Sequence, residues 1–380
     1  MSKLDDLIKN LCPDGVEFKK LGEIIQTLTP TLKIKRNEYK KFGRVPIISQ
    51  EEEYISGYCD FNDKNIPENN YVLFGDHSEH IKFVNFAFVQ GADGLKIMKC
   101  DESKIIARYL YYTICNFYKR RNNYERHFKH LIEIKIPVPP IEVQREIVRI
   151  LDNFTELTAE LTAELTARKK QYEFYRDLLL TFDDGKELLP IEKICVKISS
   201  GGTPKSSVKE FYNGKILWLR TQDINWNDIT STSMTITEEG LKNSSAKWIP
   251  KNCVIVAMYG ATAGKVAVNK ISLTTNQACC NLQVNEKIAN YKFVYYYLAS
   301  QYKILKAMGE GSQHNINSSK IKNFKIPVPP IEEQDRIVKI LDRFDKLCND
   351  ITEGLPAEIS ARQKQYEYYR DKLLNFKEKN

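Results

Sequence analysis

From Ile147 onward an apolar or long side chain recurs every three or four residues: Ile147, Leu151, Phe154, Leu157, Leu161, Leu165, Arg168, Tyr172, Tyr175 and Leu179. These steps trace one face of an α-helix, with polar residues filling the other positions. A second stripe runs through Ile337, Leu341, Phe344, Leu347, Ile351, Leu355, Ile359, Arg362, Tyr366, Tyr369 and Leu373. Gly354 and Pro356 interrupt it, and because an interior Pro removes a backbone donor, a break or kink is expected there. Neither stripe has an apolar partner within its own segment, so the two predict one antiparallel coiled coil with a globular block between its helices. Elsewhere the apolar runs are short. YVLFG at 71–75, VNFAFVQ at 84–90, ILWLR at 216–220, CVIVAMYG at 253–260 and KVAV at 265–268 read as strands, and 103–118 and 291–308 as helices.

The pattern is also written twice. KIPVPPIE at 135–142 returns letter for letter at 325–332, and VQREIVRILDNF at 143–154 returns as EQDRIVKILDRF at 333–344. QYEFYRDLLLTF at 171–182 then pairs with QYEYYRDKLLNF at 365–376, so the offset grows from 190 to 194. The change falls between Phe154 and Gln171, where Leu-Thr-Ala-Glu stands at 157–160, repeats at 161–164 and starts again at Leu165. Four residues are close to one helical turn. Adding such a word rotates the stripe by only about 40° and lengthens the helix by ~6 Å, which makes it a spacer that keeps its seam. A weaker echo, Asp14-Gly15-Val16-Glu17 against Asp184-Gly185-Lys186-Glu187, precedes each globular block. The expected layout is a first head at 1–134 with a short N-terminal helix, a helical segment at 135–182, a second head at 183–324 and a second helical segment at 325–380. The fold class is α+β: two mixed α/β heads on two long helical segments, with a pseudo-twofold internal repeat. By eye the heads share little sequence, so two unlike heads on like scaffolds are expected.

Composition narrows the class. At 380 residues the chain needs two or more cores. With 42% hydrophobic and 28% charged residues it reads as soluble and globular, and no apolar run approaches the roughly 20 residues of a membrane helix. MSKLDDLIKN carries acids where a secretion signal has an apolar stretch. Nine cysteines without framework spacing, including the adjacent Cys279 and Cys280, point to free thiols in a reducing cytoplasm.

The balance of 57 basic against 49 acidic residues, +8, permits a polyanionic partner without requiring one. Its distribution says more. KRRNNYERHFKH at 119–130 gathers Lys119, Arg120, Arg121, Arg126 and Lys129 around a single acid, Glu125. Arg, Lys, Asn and Gln on loops can hold phosphates or read base edges. On that basis the candidate DNA contacts in the first head are Gln50, His77, Lys96, Arg120, Arg121, Asn123 and Arg126. In the second head they are Lys205, Ser206, Arg220, Gln222, Lys265, Gln313, His314 and Asn315.

Chemistry of the chain's own finds no support. Both Pro-Pro sites are Val-Pro-Pro-Ile, lacking the amide or acid and the aromatic with which an adenine methyltransferase holds a flipped base. GATAGKV at 260–266 is one residue short of a phosphate loop and has Val266 where Ser or Thr would bind magnesium. Glu133-Ile134-Lys135 matches a nuclease triplet, but such triplets are common and no upstream acid is convincingly placed for it. The pairs His77/His80 and His127/His130 lack the further ligands of a zinc site. No catalytic residue and no metal site is therefore expected.

Taken together, the paired PVPPIE…Q…I…ILD segments, the QYE[FY]YRDxLL endings and the Leu-Thr-Ala-Glu spacer resemble the specificity (S) subunit of type I restriction–modification enzymes. GGTPKSS…LWLRTQDI…ITEEGLKNSS…AMYGATAGKV…TTNQA, spanning 201–278, resembles that family's target recognition domain. GRVPIISQ…ISGY at 43–58 with YVLFGDH…FVQGADG at 71–94 is similar to another type of the same domain. The resemblance covers essentially the whole chain. It implies that each recognition domain reads one half of an asymmetric bipartite site in double-stranded DNA. The helices, through Leu157, Leu161, Leu165, Ile351, Leu355 and Ile359, would set the spacing. Tyr172, Tyr175, Tyr366 and Tyr369 sit at coil-core spacing and are also candidates for a partner interface. The implied partners are two modification subunits that methylate adenine with S-adenosylmethionine, and two restriction subunits that use ATP and Mg2+. No cofactor is expected on this chain. A two-headed coiled-coil scaffold, or a DNA-binding protein outside restriction–modification, is the alternative.

Overall fold

The computed structural model describes residues 3–60, 65–91, 94–182, 187–310 and 315–379. They form two compact units, one made of Met1–Thr162 with Glu358–Asn380 and the other of Ala163–Ala357.

The first unit runs α1 (Lys3–Leu11), β1 (Glu17–Lys20), α2 (Leu21–Ile24), β2 (Ile25–Leu28), β3 (Val45–Ile48), β4 (Gly57–Cys59), β5 (Tyr71–Gly75), β6 (Ile81–Val84), β7 (Val89–Gln90), β8 (Leu95–Cys100), α3 (Ala107–Phe117), α4 (Phe128–Leu131), β9 (Lys135–Val138) and the first part of α5 (Ile141–Leu180). A four-stranded sheet has the order β2-β8-β5-β6, and a three-stranded sheet the order β4-β3-β7. YVLFG is buried at all five positions, as expected of a strand covered on both faces. VNFAFVQ does not make one strand. It turns a corner between β6 and β7, because Val84 and Val89 belong to different sheets.

In the second unit the end of α5 is followed by β10 (Leu188–Pro190), α6 (Ile191–Ile194), β11 (Cys195–Ser200), β12 (Tyr212–Leu219), β13 (Asp228–Ile229), β14 (Thr235–Ile236), α7 (Glu238–Lys242), β15 (Trp248–Ile249), β16 (Val254–Ala257), β17 (Val266–Asn269), β18 (Leu273–Thr275) and β19 (Cys279–Val284). Then come α8 (Tyr291–Ser300), α9 (Tyr302–Ala307), α10 (Ser318–Asn323), β20 (Lys325–Pro327), α11 (Ile331–Asn349) and the start of α12 (Leu355–Leu374). Its sheets are β11-β19-β16-β17-β13 and β14-β12-β18-β15.

The heads are less unlike than their sequences. β2-β8-β5-β6 and β11-β19-β16-β17 follow the same order with antiparallel neighbours. The parallel pair β3·β7 has its counterpart in the parallel pair β12·β18. Buried-strand positions accept many apolar residues, so this likeness leaves little trace in the letters.

The shared segments anchor each head in the same way. Ile-Pro-Val is extended, as Pro demands of its neighbours, and pairs antiparallel as β9 with β1 and as β20 with β10. The fully buried Gln144 takes the N–H of Ile106 at 2.9 Å and donates to the carbonyls of Lys104 and Pro139. At the offset of 190, Gln334 takes the N–H of Asn290 at 2.8 Å and donates to Ile288 and Pro329. About two turns on, Asp152 holds Arg108 and Tyr112, and Asp342 holds Lys292 and Tyr296. These four carboxylate contacts are charge-assisted and repeat position for position, with Lys292 where the first unit has Arg108.

α5 is a single helix of 40 residues, while the second segment breaks into α11 and α12. The break is where Gly354 and Pro356 stand. A Cβ at position 354 would lie 2.5 Å from the Lys346 carbonyl. Pro356 falls in the first turn of α12, where its missing donor is harmless. In the first unit Phe154 of α5 stacks on Tyr369 of α12 at 5.4 Å; in the second, Tyr172 and Tyr175 of α5 meet Phe344 of α11. Early α5 therefore meets the late second segment and late α5 the early one, the antiparallel sense expected. Leu157, Leu161, Leu165 and Ile359 are half-buried and Leu355 is buried. Ile351 is a correction. It is 81% exposed in the turn between α11 and α12, where no helical face exists to hold it. Leu347 is also turned out, and Cys348 fills the seam in its place.

Candidate nucleic-acid interface

In the first head the candidate residues gather on the β5–β6 turn and two loops packed against it. Asp76, buried at the turn, donates its N–H to Gly94 and accepts those of His127 and Phe128, which ties α4 to the hairpin. Gln50, just past β3, accepts the His77 N–H through its side chain at 3.2 Å, and its carbonyl takes the Ser78 hydroxyl. A Cβ at Gly75 would lie 2.1 Å from Ser78 Oγ, so the hydroxyl that bonds Gln50 would have to shift. The His77 ring lies 3.1 Å from the Glu125 carbonyl and stacks on Tyr124 at 5.4 Å.

Glu79 closes the arrangement. It is buried, and its carboxylate accepts the Tyr118 hydroxyl at 2.6 Å and the main-chain N–H groups of Arg121 and Asn122. Burial by itself would raise the acid. The hydrogen bonds from Tyr118, Arg121 and Asn122, with His127 nearby, outweigh burial and hold it below its ordinary range. The basic segment is thus clamped through its backbone, which leaves the side chains of Arg120, Arg121 and Arg126 exposed. Arg120 reaches His80 Nδ1 at 3.2 Å, and burial with the Arg120 charge pushes the pKa of that His down. Its acid is locally engaged: Lys129, Asn123 and His130 hold the Glu125 carboxyl down to about 2.

Two candidates are occupied otherwise. Lys96 pairs with Asp76 at 3.6 Å and sits over the Phe128 ring, and the Asn123 amide donates to Glu125. Sequence reasoning passed over Tyr124, which is 92% exposed beside this basic cluster. An aromatic inside a run of Arg and Asn was the available signal.

The second head repeats the crossing with different side chains. Met258 stands where Asp76 does, donating to Ala278 and accepting the N–H of Ile316. Arg220, at the end of β12, gives its N–H to Asp223 and its guanidinium to Ser233, while Nε is buried without a partner among the described residues. Lys265 donates to Asn225 at 2.7 Å. Lys205, Ser206 and Gln222 are exposed. Asn315 lines an open cavity of about 300 Å³ with Ser200, Met258, Tyr259, Gln277 and Asn317 among its walls. Gln313 and His314 lie outside the described residues. Gln277 and Tyr259, both exposed at this mouth, were missed because their loops are far apart in sequence. Such guanidinium, ammonium, amide and aromatic groups are of the kinds that can hold phosphates and meet base edges.

Of the tyrosines of the shared motif, Tyr172, Tyr366 and Tyr369 are half-buried, while Tyr175 stays partly exposed. Tyr172 and Tyr175 pack on Phe344, Tyr366 on Tyr112 and Tyr369 on Phe154. Outward-facing aromatics come from the middle of the same motif, Phe174 at 63% and Tyr368 at 62% exposure, with Leu178 beside the first. Among the described residues, no group of three or more His, Cys, Asp or Glu side chains could hold a metal ion, and no helix is long and apolar enough to cross a membrane.

Comparison with known proteins agrees with this geometry. The model of the type I restriction modification DNA specificity domain matches twice, at residues 13–168 and 185–361. The chain is 38% identical to the type I restriction enzyme EcoR124I/EcoR124II specificity subunit of Escherichia coli, over 99% of this chain and 98% of that one. Among solved structures it is similar to the S subunit of a type I restriction–modification system from M. genitalium, with a TM-score of 0.61 at 14% identity over 95% and 96% of the two chains. A chain from a study of assembly and conformational transition in a type I system gives 0.60 at 18% identity, over 96% and 98%. These last two likenesses speak for the fold. The matches do not favour a two-headed scaffold or a DNA-binding protein of another kind.

Proposed function

Since the chain belongs to the DNA specificity subunits of type I restriction–modification systems, we propose that its two heads read the two halves of one asymmetric, bipartite site in double-stranded DNA. The observation that carries this reading is the pair of heads with one strand order and different loop chemistry, each seated by the same Gln and Asp anchors. Equal seats give the heads equivalent purchase, and unequal loops give them different sequences to read. The first head offers Gln50, His77, Arg120, Arg121 and Arg126 around its hairpin turn. The second offers Arg220, Gln222, Lys265, Asn315 and Gln277. The paired helices hold the gap.

On this reading the chain performs no chemistry. Two modification subunits, which bind S-adenosylmethionine and methylate adenine, dock on the shared segments, where Phe174, Leu178 and Tyr368 are among the exposed apolar groups. Two restriction subunits supply translocation and cleavage with ATP and Mg2+. The assembly works in the cytoplasm.

The test is to produce the chain with the modification subunits of its own system and sequence the methylated adenines of the host genome. A motif of two short blocks separated by a fixed unread gap is expected. Methylation at a single contiguous motif, or none above background, would sink the proposal.

A further inference from the structure

The β5–β6 hairpin of the first head contains two buried charges that reach two different loops. Glu79 takes the N–H groups of Arg121 and Asn122. Lys82, 5% exposed, donates its ammonium to the carbonyls of Ser49 and Glu53. Neither needs its charge for the hairpin itself, whose strands pair through the backbone from Tyr71–Val84 to Phe74–Ile81. A buried charge is costly unless hydrogen bonds or an opposite charge compensate it. Here each holds a segment bearing candidate DNA contacts, Gln50 on one side and Arg120 and Arg121 on the other.

Glu79 adds a second sign. Its φ is +56°, in the left-handed region where Gly or Asn is the easy choice. A long acid kept at such a position points to a requirement for the side chain. The second head shows that the crossing does not require such charges in general. By strand register Leu73 faces Lys82, and at the matching place Ile255 faces Ala267. The second head seats its own loop at Trp226 by a main-chain bond to Val266.

We propose that Glu79 and Lys82 are positioning residues that determine which half-site the first head accepts. They fix the 49–53 and 118–127 loops on one hairpin, so that Gln50, His77, Arg120 and Arg121 meet the DNA in one arrangement. Neither touches DNA itself. The inference rests on the reading of the heads as half-site readers, and it makes the second head an internal control.

The experiment uses the full chain with its modification subunits and reads the methylation motif of each variant, Glu79→Gln and Lys82→Met. Gln keeps the size of Glu79 but replaces one acceptor oxygen with a donor facing the two N–H groups. Met keeps the length of Lys82 and removes its three donors. Both variants are expected to relax discrimination roughly tenfold in the same half of the motif, leaving the other half as specific as before. Melting curves and limited proteolysis of each complex accompany the sequencing.

Relaxation of both halves together, or of neither, overturns the proposal. So does loss of one half accompanied by proteolysis throughout residues 3–134, since that outcome makes the two charges merely structural. A wild-type chain without a bipartite motif is a different failure: it removes the functional reading, and this inference with it.

Discussion

Arg121 shows how one position is divided between two tasks. Its N–H is bound to Glu79, while its guanidinium stays in solvent with those of Arg120 and Arg126. Truncation to Ala keeps the first task and deletes the second. Arg121→Ala is therefore expected to weaken DNA binding without disturbing the loop. It should also make the slope of log affinity against log salt shallower by about one. Fluorescence anisotropy titrations at several salt concentrations measure both, and an affinity and slope equal to wild type would remove Arg121 from the interface. Lys96 bears the same sign of charge yet is held by Asp76, and the Asn123 amide is taken up by Glu125. Residue type alone could not separate them. What distinguishes Lys96 from Arg121 is a partner 20 residues away in sequence that the pairing of β5 with β8 brings to 3.6 Å.

At the scale of elements, the spacer works because its polar groups need nothing from outside the helix. Thr158 and Thr162 return their hydroxyls to the carbonyls of Phe154 and Thr158, four residues earlier. Leu157, Leu161 and Leu165 keep to the protected face. An added Leu-Thr-Ala-Glu after Glu164 should thus lengthen α5 by ~6 Å and leave its melting temperature within a few degrees of wild type. Methylation sequencing should then show both half-sites unchanged and only the gap altered. Gly-Ser-Gly-Ser at the same place is expected to lower stability by about 2 kcal/mol or more, since each interior Gly costs about 1 kcal/mol relative to Ala. Circular dichroism melts compare the two, and equal behaviour would contradict the role given to the repeat. The other helical segment tells the same story in reverse. Gly354 and Pro356 read as a break or kink and prove to be a full stop, with Pro356 in the opening turn of α12.

The whole molecule is two units built on one plan, each locked by a buried glutamine that bridges its helix to its head. Removing either side chain leaves one N–H and two carbonyls unpaired in a dry setting. Gln144→Ala and Gln334→Ala are each expected to cost about 3 kcal/mol. Urea denaturation measures the loss, and proteolysis locates it. The first variant should open within 3–162 and the second within 163–357. Cleavage spread alike over both units in both variants would contradict independent anchoring.

The doubled helical scaffold and its offset, the spacer, the break at Gly354 and the family resemblance were all legible in the letters. Literal repetition and a period of 3.6 residues are local properties that survive without knowledge of any distant contact. The common plan of the heads was not legible, because an apolar strand tolerates almost any apolar residue and the shared order of strands lies in their pairing. Nor could the half-burial of Tyr172, Tyr366 and Tyr369 be told from the exposure of Tyr175, since both fit the same helical spacing. The convergence of the Gln50 and Arg121 loops on the buried Glu79 and Lys82 was likewise decided by the fold. Each of those contacts joins residues about 30 to 40 positions apart, and only the closed hairpin and sheets bring such groups within hydrogen-bond reach.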